Sequence, residues 1–128
     1  MNQPEEQASV AVQAEALYLI NLLLVPGLAF LGLLWLARRE RGSANQLTRC
    51  HLQQTVRASI WAGVLLVLVT LLIVLLGGLQ APATWVVLIL YFTTCHATLV
   101  LFGVLGLARA MAGQTYVYPL VGSRSWQA

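Results

Sequence analysis

Apolar positions in this chain are gathered into three long runs separated by short polar stretches, not spread at helical or strand spacing. The first, Ala16 to Ala37, includes LYLINLLLVPGLAFLGLLWL; the second, Ala58 to Leu79, includes IWAGVLLVLVTLLIVLLGGL; the third, about Thr84 to Ala108, reads TWVVLILYFTTCHATLVLFGVLGLA. Each is long enough to cross a membrane, since about 20 residues rising 1.5 Å apiece span about 30 Å of hydrocarbon. A bilayer has no water to satisfy unpaired backbone groups, so each run must be helical. The pattern predicts an all-α integral membrane protein: a polar N-terminal tail over 1–15, a membrane domain over 16–110 with three transmembrane helices at about 16–37, 44–79 and 84–110, and an interfacial tail over 111–128.

Punctuation refines these helices. Pro26-Gly27 interrupts the first near its middle, where a proline removes a backbone hydrogen bond and predicts a kink. Asn21, a little more than one turn earlier, is a polar side chain at membrane depth expected to face another helix. Ser43 and Gln46 have the form of a capping box, so a helix beginning there runs without a break into the second span. Leu52, Val56 and Ile60 would line one stripe of it, and Arg49, Gln53 and Arg57 another. That segment either projects into the cytoplasm by about four turns or lies in the interface with a bend near Ala58. Gly113 is placed as a helix stop, and Pro119 prevents resumption.

Charge supplies an orientation. Arg38, Arg39, Arg41, Arg49 and Arg57 lie between the first two runs, Arg109 and Arg124 follow the third, and the remaining segments carry no arginine or lysine. By the positive-inside rule the loop and C-terminus are cytoplasmic and the N-terminus is outside. The sequence pI near 9.3 then reads as a topology signal, not a nucleic-acid footprint. MNQPEEQASVAVQAEA has no basic residue, which argues against a cleaved signal peptide. Hydrophobic residues at 59% and charged residues at 9% agree with residence in a membrane as a multi-pass chain. Trp35, Trp61 and Trp85 fall at helix ends as interfacial anchors, and Tyr116, Tyr118 and Trp126 suit the headgroup level.

Candidate chemistry concentrates in two Cys-His dipeptides, Cys50-His51 and Cys95-His96, which hold every cysteine and histidine of the chain. Two cysteines and two histidines match the ligand count of a structural zinc site, but zinc bonds of about 2.0 to 2.3 Å need all four to converge. Helical rise separates the pairs in depth by roughly 28 Å, or about 18 Å if the loop helix lies flat. No metal, haem or other cofactor is expected. His96, with Asn21, Thr94, Cys95 and Thr98, forms a set of intramembrane polar residues. For His96 the readings are a neutral ring hydrogen-bonded to a neighbouring helix, through Asn21 or a backbone carbonyl, or a residue handling protons or solute along a pathway. No paired carboxylates, GxSxG, phosphate-binding glycine loop or HExxH is present, and all four acids lie outside the predicted spans. An enzyme is not expected.

The segment His51-Leu-Gln-Gln54 entering the second helix, with Gly113 to Leu120, GQTYVYPL, after the third, resembles small bacterial membrane proteins related to the chloroplast inner-envelope import component of the Tic complex. His51 and Gln54 match that family's His-x-x-Gln loop, and Gly113, Tyr116, Tyr118 and Pro119 its Gly-x-x-Tyr-x-Tyr-Pro tail. The resemblance implies a helical, multi-pass domain of the bacterial inner (cytoplasmic) membrane, mostly without an assigned activity in bacteria. Loop and tail share a side, so His51 and Gln54 are expected to bond the Tyr116 to Pro119 turn, as a structural lock or a partner-docking surface. The expected function is an accessory subunit or assembly factor acting by protein-protein interaction in the lipid bilayer, within a larger complex or a homo-oligomer. The alternative is an oligomeric small-solute or proton transporter or channel lined by the broken helix.

Overall fold

Pro26 and Gly27 reverse the chain where a kink was expected. The computed structural model describes residues 3–43 and 45–119, with side chains from residue 8 onward. Helix α1 spans Gln3–Leu23 and α2 spans Leu28–Arg39. The two fold back on each other: Ala14 packs with Leu33 and Leu36, and Gly32 faces Leu17. The expected spanning helix over 16–37 is therefore a helical hairpin with Pro26-Gly27 at its tip. Its apolar arms are too short to cross a bilayer, since Ala8–Leu23 and the 12 residues of α2 rise about 24 and 18 Å at 1.5 Å per residue.

Two local features turn a kink into a reversal. Gly27 has φ of 89°, which a residue with Cβ rarely adopts. Asn21 does not reach across to another helix as expected: its Oδ1 accepts the backbone N–H of Gly27 at 2.9 Å, bridging the turn within its own hairpin.

After the hairpin, α3 (Gln46–Gly63) passes through one π-helical turn, Val64–Leu68, into α4 (Val69–Gly77), and α5 runs from Pro82 to Met111. Residues Gln46–Gly77 and Pro82–Met111 make two helices, of 32 and 30 residues, long and apolar enough to cross a membrane. At 1.5 Å per residue the first is about 48 Å long, more than the roughly 30 Å of a bilayer's hydrocarbon. The helix begins at Gln46, not 44: Asn45 is its N-cap, its side chain accepting from the Leu47 N–H at 2.9 Å. Ser43 serves the turn before it, accepting from the Asn45 N–H at 3.3 Å.

The hairpin leans against these two helices at one end only. α1 runs alongside α3, with Glu15 beside His51, and antiparallel to α5, with Glu15 beside Gly106 and Tyr18 beside Gly103. An added Cβ at Gly103 would stand 2.5–2.8 Å from Leu19 and Tyr18, and one at Gly106 equally close to the Glu15 carboxyl, so glycine is required along this seam. Beyond the tip, α4 and the start of α5 pair alone and expose Leu75, Leu76, Ile89 and Leu90. Residues 3–15, expected as a polar tail, are thus helical, and the described part of that stretch stands at the loop's end of the molecule. That placement corrects an N-terminus opposite the loop. Trp126, expected at the headgroup level, and Arg124 lie outside the described residues.

A buried Glu-His-Tyr lock as the candidate functional site

Glu15 was expected outside the membrane domain. It lies instead at the centre of a sealed cluster, with Glu15, His51 and Gln54 fully buried and Tyr118 nearly so. Helix α1 brings Glu15 into place because Ala11, Ala14, Tyr18 and Leu22 form its buried face. Helix α3 contributes Cys50, His51 and Gln54 from consecutive turns. The tail arrives by way of the α5 C-terminus, where Gly113 adopts φ of 69°. There the Gln114 N–H donates to the Arg109 carbonyl and the Gly113 N–H to that of Ala110, the pair of hydrogen bonds that ends a helix on a left-handed glycine.

Three bonds fix Glu15 and His51. His51 Nδ1 lies 2.6 Å from Glu15 Oε1, and His51 Nε2 lies 2.8 Å from the Gln114 carbonyl. Tyr118 donates its hydroxyl to Glu15 Oε2. The Gln114 carbonyl can only accept, so Nε2 carries a hydrogen. One further proton lies between Nδ1 and Oε1, and whichever atom holds it the buried pair is neutral overall. Neutrality matters because an uncompensated charge here would cost several kcal/mol. Burial raises the Glu15 carboxyl above its ordinary value, against the opposing pull of its hydrogen bonds to His51 and Tyr118. Burial, with Glu15 alongside, pushes the Tyr118 phenol far above its ordinary value.

The tail is held by its backbone as much as by its rings. Gln54 Oε1 accepts the Tyr118 N–H at 3.4 Å. Cys50 donates its thiol to the Tyr116 carbonyl at 3.3 Å and accepts the Tyr116 N–H at 3.4 Å. Tyr118 packs edge-on against Tyr18, with ring centroids 5.5 Å apart, and Tyr18 donates to the Leu99 carbonyl at 3.0 Å. Of the six expected lock residues, His51, Gln54, Tyr116 and Tyr118 meet here, and Gly113 aims the tail at them. Pro119 is exposed in a turn just past the lock.

The parts of Glu15, Cys50 and Gly106 in this lock were missed. A lone acid four residues before Leu19 and three before Tyr18, inside an apolar helical face, was the available signal for Glu15. For Gly106 it was the Gly103-x-x-Gly106 spacing. Cys50 stood out only as half of a Cys-His dipeptide, and nothing in the sequence marks it as a partner of the tail backbone.

The intramembrane polar set does not form one site. His96 donates from Nε2 to the Leu22 carbonyl at 3.0 Å and stacks on Phe92. It thereby satisfies a carbonyl at the open C-terminal end of α1, beside the turn that Asn21 closes. Thr98 bonds back to the Thr94 carbonyl at 2.8 Å within its own helix, and Thr94 is exposed. Tyr91 donates to the Leu65 carbonyl at 2.6 Å, inside the π-helical turn. The residues held by His51 and His96 on α1, Glu15 and Leu22, are two turns apart, about 10 Å along the helix. That is less than the depth expected from the sequence, because the hairpin draws both histidines onto one helix, yet far too long for shared zinc ligation. Among the described residues no group of three or more His, Cys, Asp or Glu side chains could hold a metal ion.

The fold and its lock define a small all-helical protein with two helices of membrane-crossing length and a helical hairpin clasped to one end of them. The chain belongs to the MamF_MmsF family, the magnetosome magnetite crystal formation protein family, whose sequence model matches residues 6–124. That assignment overturns the resemblance to the Tic import component, which rested on a few loop and tail residues. The lock those residues build stands by its own geometry. No curated protein and no solved structure matches the chain.

Proposed function

We propose that this protein is a multi-pass membrane component of magnetite crystal formation that works by contacts with other proteins, as an accessory or assembly factor, and performs no catalysis. The family supports the process, and the two long apolar helices support residence in the membrane. The observation that carries the mode of action is how the polar groups are used. Glu15, His51, Gln54 and Tyr118 bond one another or the tail backbone, and Asn21 and His96 hold the hairpin turn. Chemistry that is sealed and internally paired serves shape, which leaves the outer faces to act. Those faces are broad and apolar, suited to lipid and to packing against neighbouring membrane helices. The arginine-rich loop and the tail face the cytoplasm by the positive-inside rule, and the described start of α1 shares their side.

Cross-linking in native membranes followed by mass spectrometry tests this reading. Cross-links from the loop or α4 to other membrane proteins are the expected result. A chain that cross-links to nothing and leaves the membrane as a lone 13.9 kDa monomer would overturn it.

A second reading, a small-solute or proton pathway in an oligomer, has one observation in its favour. A cavity of about 710 Å³ lies at the hairpin tip, bordered by Asn21, Pro26, Ser59 and His96, and the Ser59 hydroxyl is buried without a partner among the described residues. Proteoliposome flux that changes in His96→Ala would favour it.

A further inference from the structure

The outer surface of the hairpin is a part of the fold that the lock does not use. Leu23, Leu24, Leu28, Leu31 and Trp35 are each 55–74% exposed on it. Between Gln13 and Arg38 it exposes no charged side chain, since Glu15 is sealed in the lock, and Asn21 is bonded to Gly27. Polar groups return at the same level on both arms. Ser9 and Gln13 are exposed and bonded to each other on α1, and Arg38, Arg39 and Arg41 are exposed at the end of α2 and just past it.

That level matches one leaflet. From Gln13 to the end of α1 at Leu23, and from the start of α2 at Leu28 to Arg38, the rise is about 15 Å each, half of the roughly 30 Å of a bilayer's hydrocarbon. Trp35, about 10 Å along α2 with Arg39 lying 5.6 Å over its ring, stands where an interfacial anchor belongs. At the other end the tip stops near the midpoint of α5, because the Leu22 carbonyl is held there by His96.

The cross-section of the molecule therefore differs between the two leaflets. On the loop's side α1, α2, α3 and α5 lie together, and on the other side α4 and α5 pair alone. Two additional helices, each about 10 Å across, displace lipid from one leaflet only. Such a shape fits a bilayer that is convex on the loop's side, where curvature already spreads the headgroups; in a flat bilayer the hairpin has to push them apart. Lipid suits this face better than another helix does. Its stripe of Leu24, Leu28, Leu31 and Trp35 is large throughout and lacks the small residues by which membrane helices approach each other.

We propose that the hairpin is a one-leaflet wedge: acyl chains of the leaflet on the loop's side cover its outer face, and the protein thereby partitions to membrane that is convex on that side. The inference rests on the membrane residence proposed above.

Single-vesicle fluorescence of the full chain, reconstituted at low density into phosphatidylcholine vesicles of widely varied diameter, provides the test. A fluorophore on Thr115→Cys and an impermeant quencher distinguish chains with the loop outside from chains with the loop inside. The number of loop-outside chains per membrane area should rise by at least about twofold from the largest vesicles to the smallest, and that of loop-inside chains should fall. L24A/L28A/L31A, which narrows the wedge at side chains that the fold leaves exposed, should flatten both trends with an unaltered melting temperature. Equal density at all diameters, enrichment of the loop-inside chains, or a trend as steep in the folded variant as in the unaltered hairpin overturns the proposal. Were the variant to unfold, the contrast between the two orientations of the unaltered hairpin decides by itself. A dimer in detergent that the same variant dissociates would assign the face to a second copy and overturn the wedge too. Recovery of the chain from the soluble fraction without detergent would remove the membrane reading and the wedge with it. Equal density of a detergent-dependent chain would remove the wedge alone.

Discussion

Replacing Glu15 by Gln exchanges a group that gains and loses a proton for one of nearly the same shape that does not. The Gln carbonyl can accept the Tyr118 hydroxyl, and its amide can donate to His51 Nδ1 while Nε2 still serves Gln114, so the lock stays satisfied. The pH response should change. The Glu15 carboxyl is raised above 4.5 by burial, so over the interval above 4.5 the folded protein keeps a proton that the unfolded chain has released. The stability due to this group is therefore fully present below the unfolded value and is lost as pH rises through the folded one. The melting temperature of the wild type minus that of Glu15→Gln, measured in detergent, should therefore fall across that interval, since the comparison isolates the proton that Glu15 adds; parallel slopes would contradict the assignment. Tyr118→Phe leaves Glu15 Oε2 buried without its donor and should cost about 1–3 kcal/mol, read as a lower melting temperature. Part of this scale was legible in the sequence, because His51, Gln54 and the tail tyrosines lie on one side of any helical arrangement. Glu15 was not, since its partners stand 36 and 103 residues away and its own helix looked like a polar tail.

Helices 46–77 and 82–111 follow from apolar length alone, and Gly113 ends the latter as its position implied. The hairpin shows where such reasoning stops. Pro26 announces a break, but kink and reversal differ only in whether the freed backbone groups find partners. Here they find the Asn21 side chain and His96, which stands 74 residues from its acceptor. The glycines of α5 complete the element by letting α1 approach. Gly106→Ala should force Glu15 out of place and lower the melting temperature clearly. Gly63→Ala meets nothing within 4 Å and should leave stability unchanged or raise it by about 0.5–1 kcal/mol through better helix propensity. Equal effects from the two substitutions would mean that the α1–α5 seam is looser than described.

At the scale of the whole molecule, lock and hairpin make one statement: the hairpin of α1 and α2 has its open end where loop and tail meet. Everything proposed for function builds on that arrangement. The sealed polar cluster sits at one end, the apolar pair of α4 and α5 extends from the other, and the hairpin tip stops between them. Three separate spanning helices would instead place the start of α1 across the membrane from His51 and make the Glu15–His51 bond impossible. Cysteine accessibility in sealed vesicles of known orientation separates the two. Ser9, Thr115 and Gln80 are exposed positions on α1, the tail and the α4–α5 turn, and each can be replaced singly by Cys against the wild-type background. A membrane-impermeant maleimide should label Ser9→Cys and Thr115→Cys from the same face and Gln80→Cys only from the other. Labelling of Ser9→Cys together with Gln80→Cys, and opposite to Thr115→Cys, would contradict the hairpin and the lock with it.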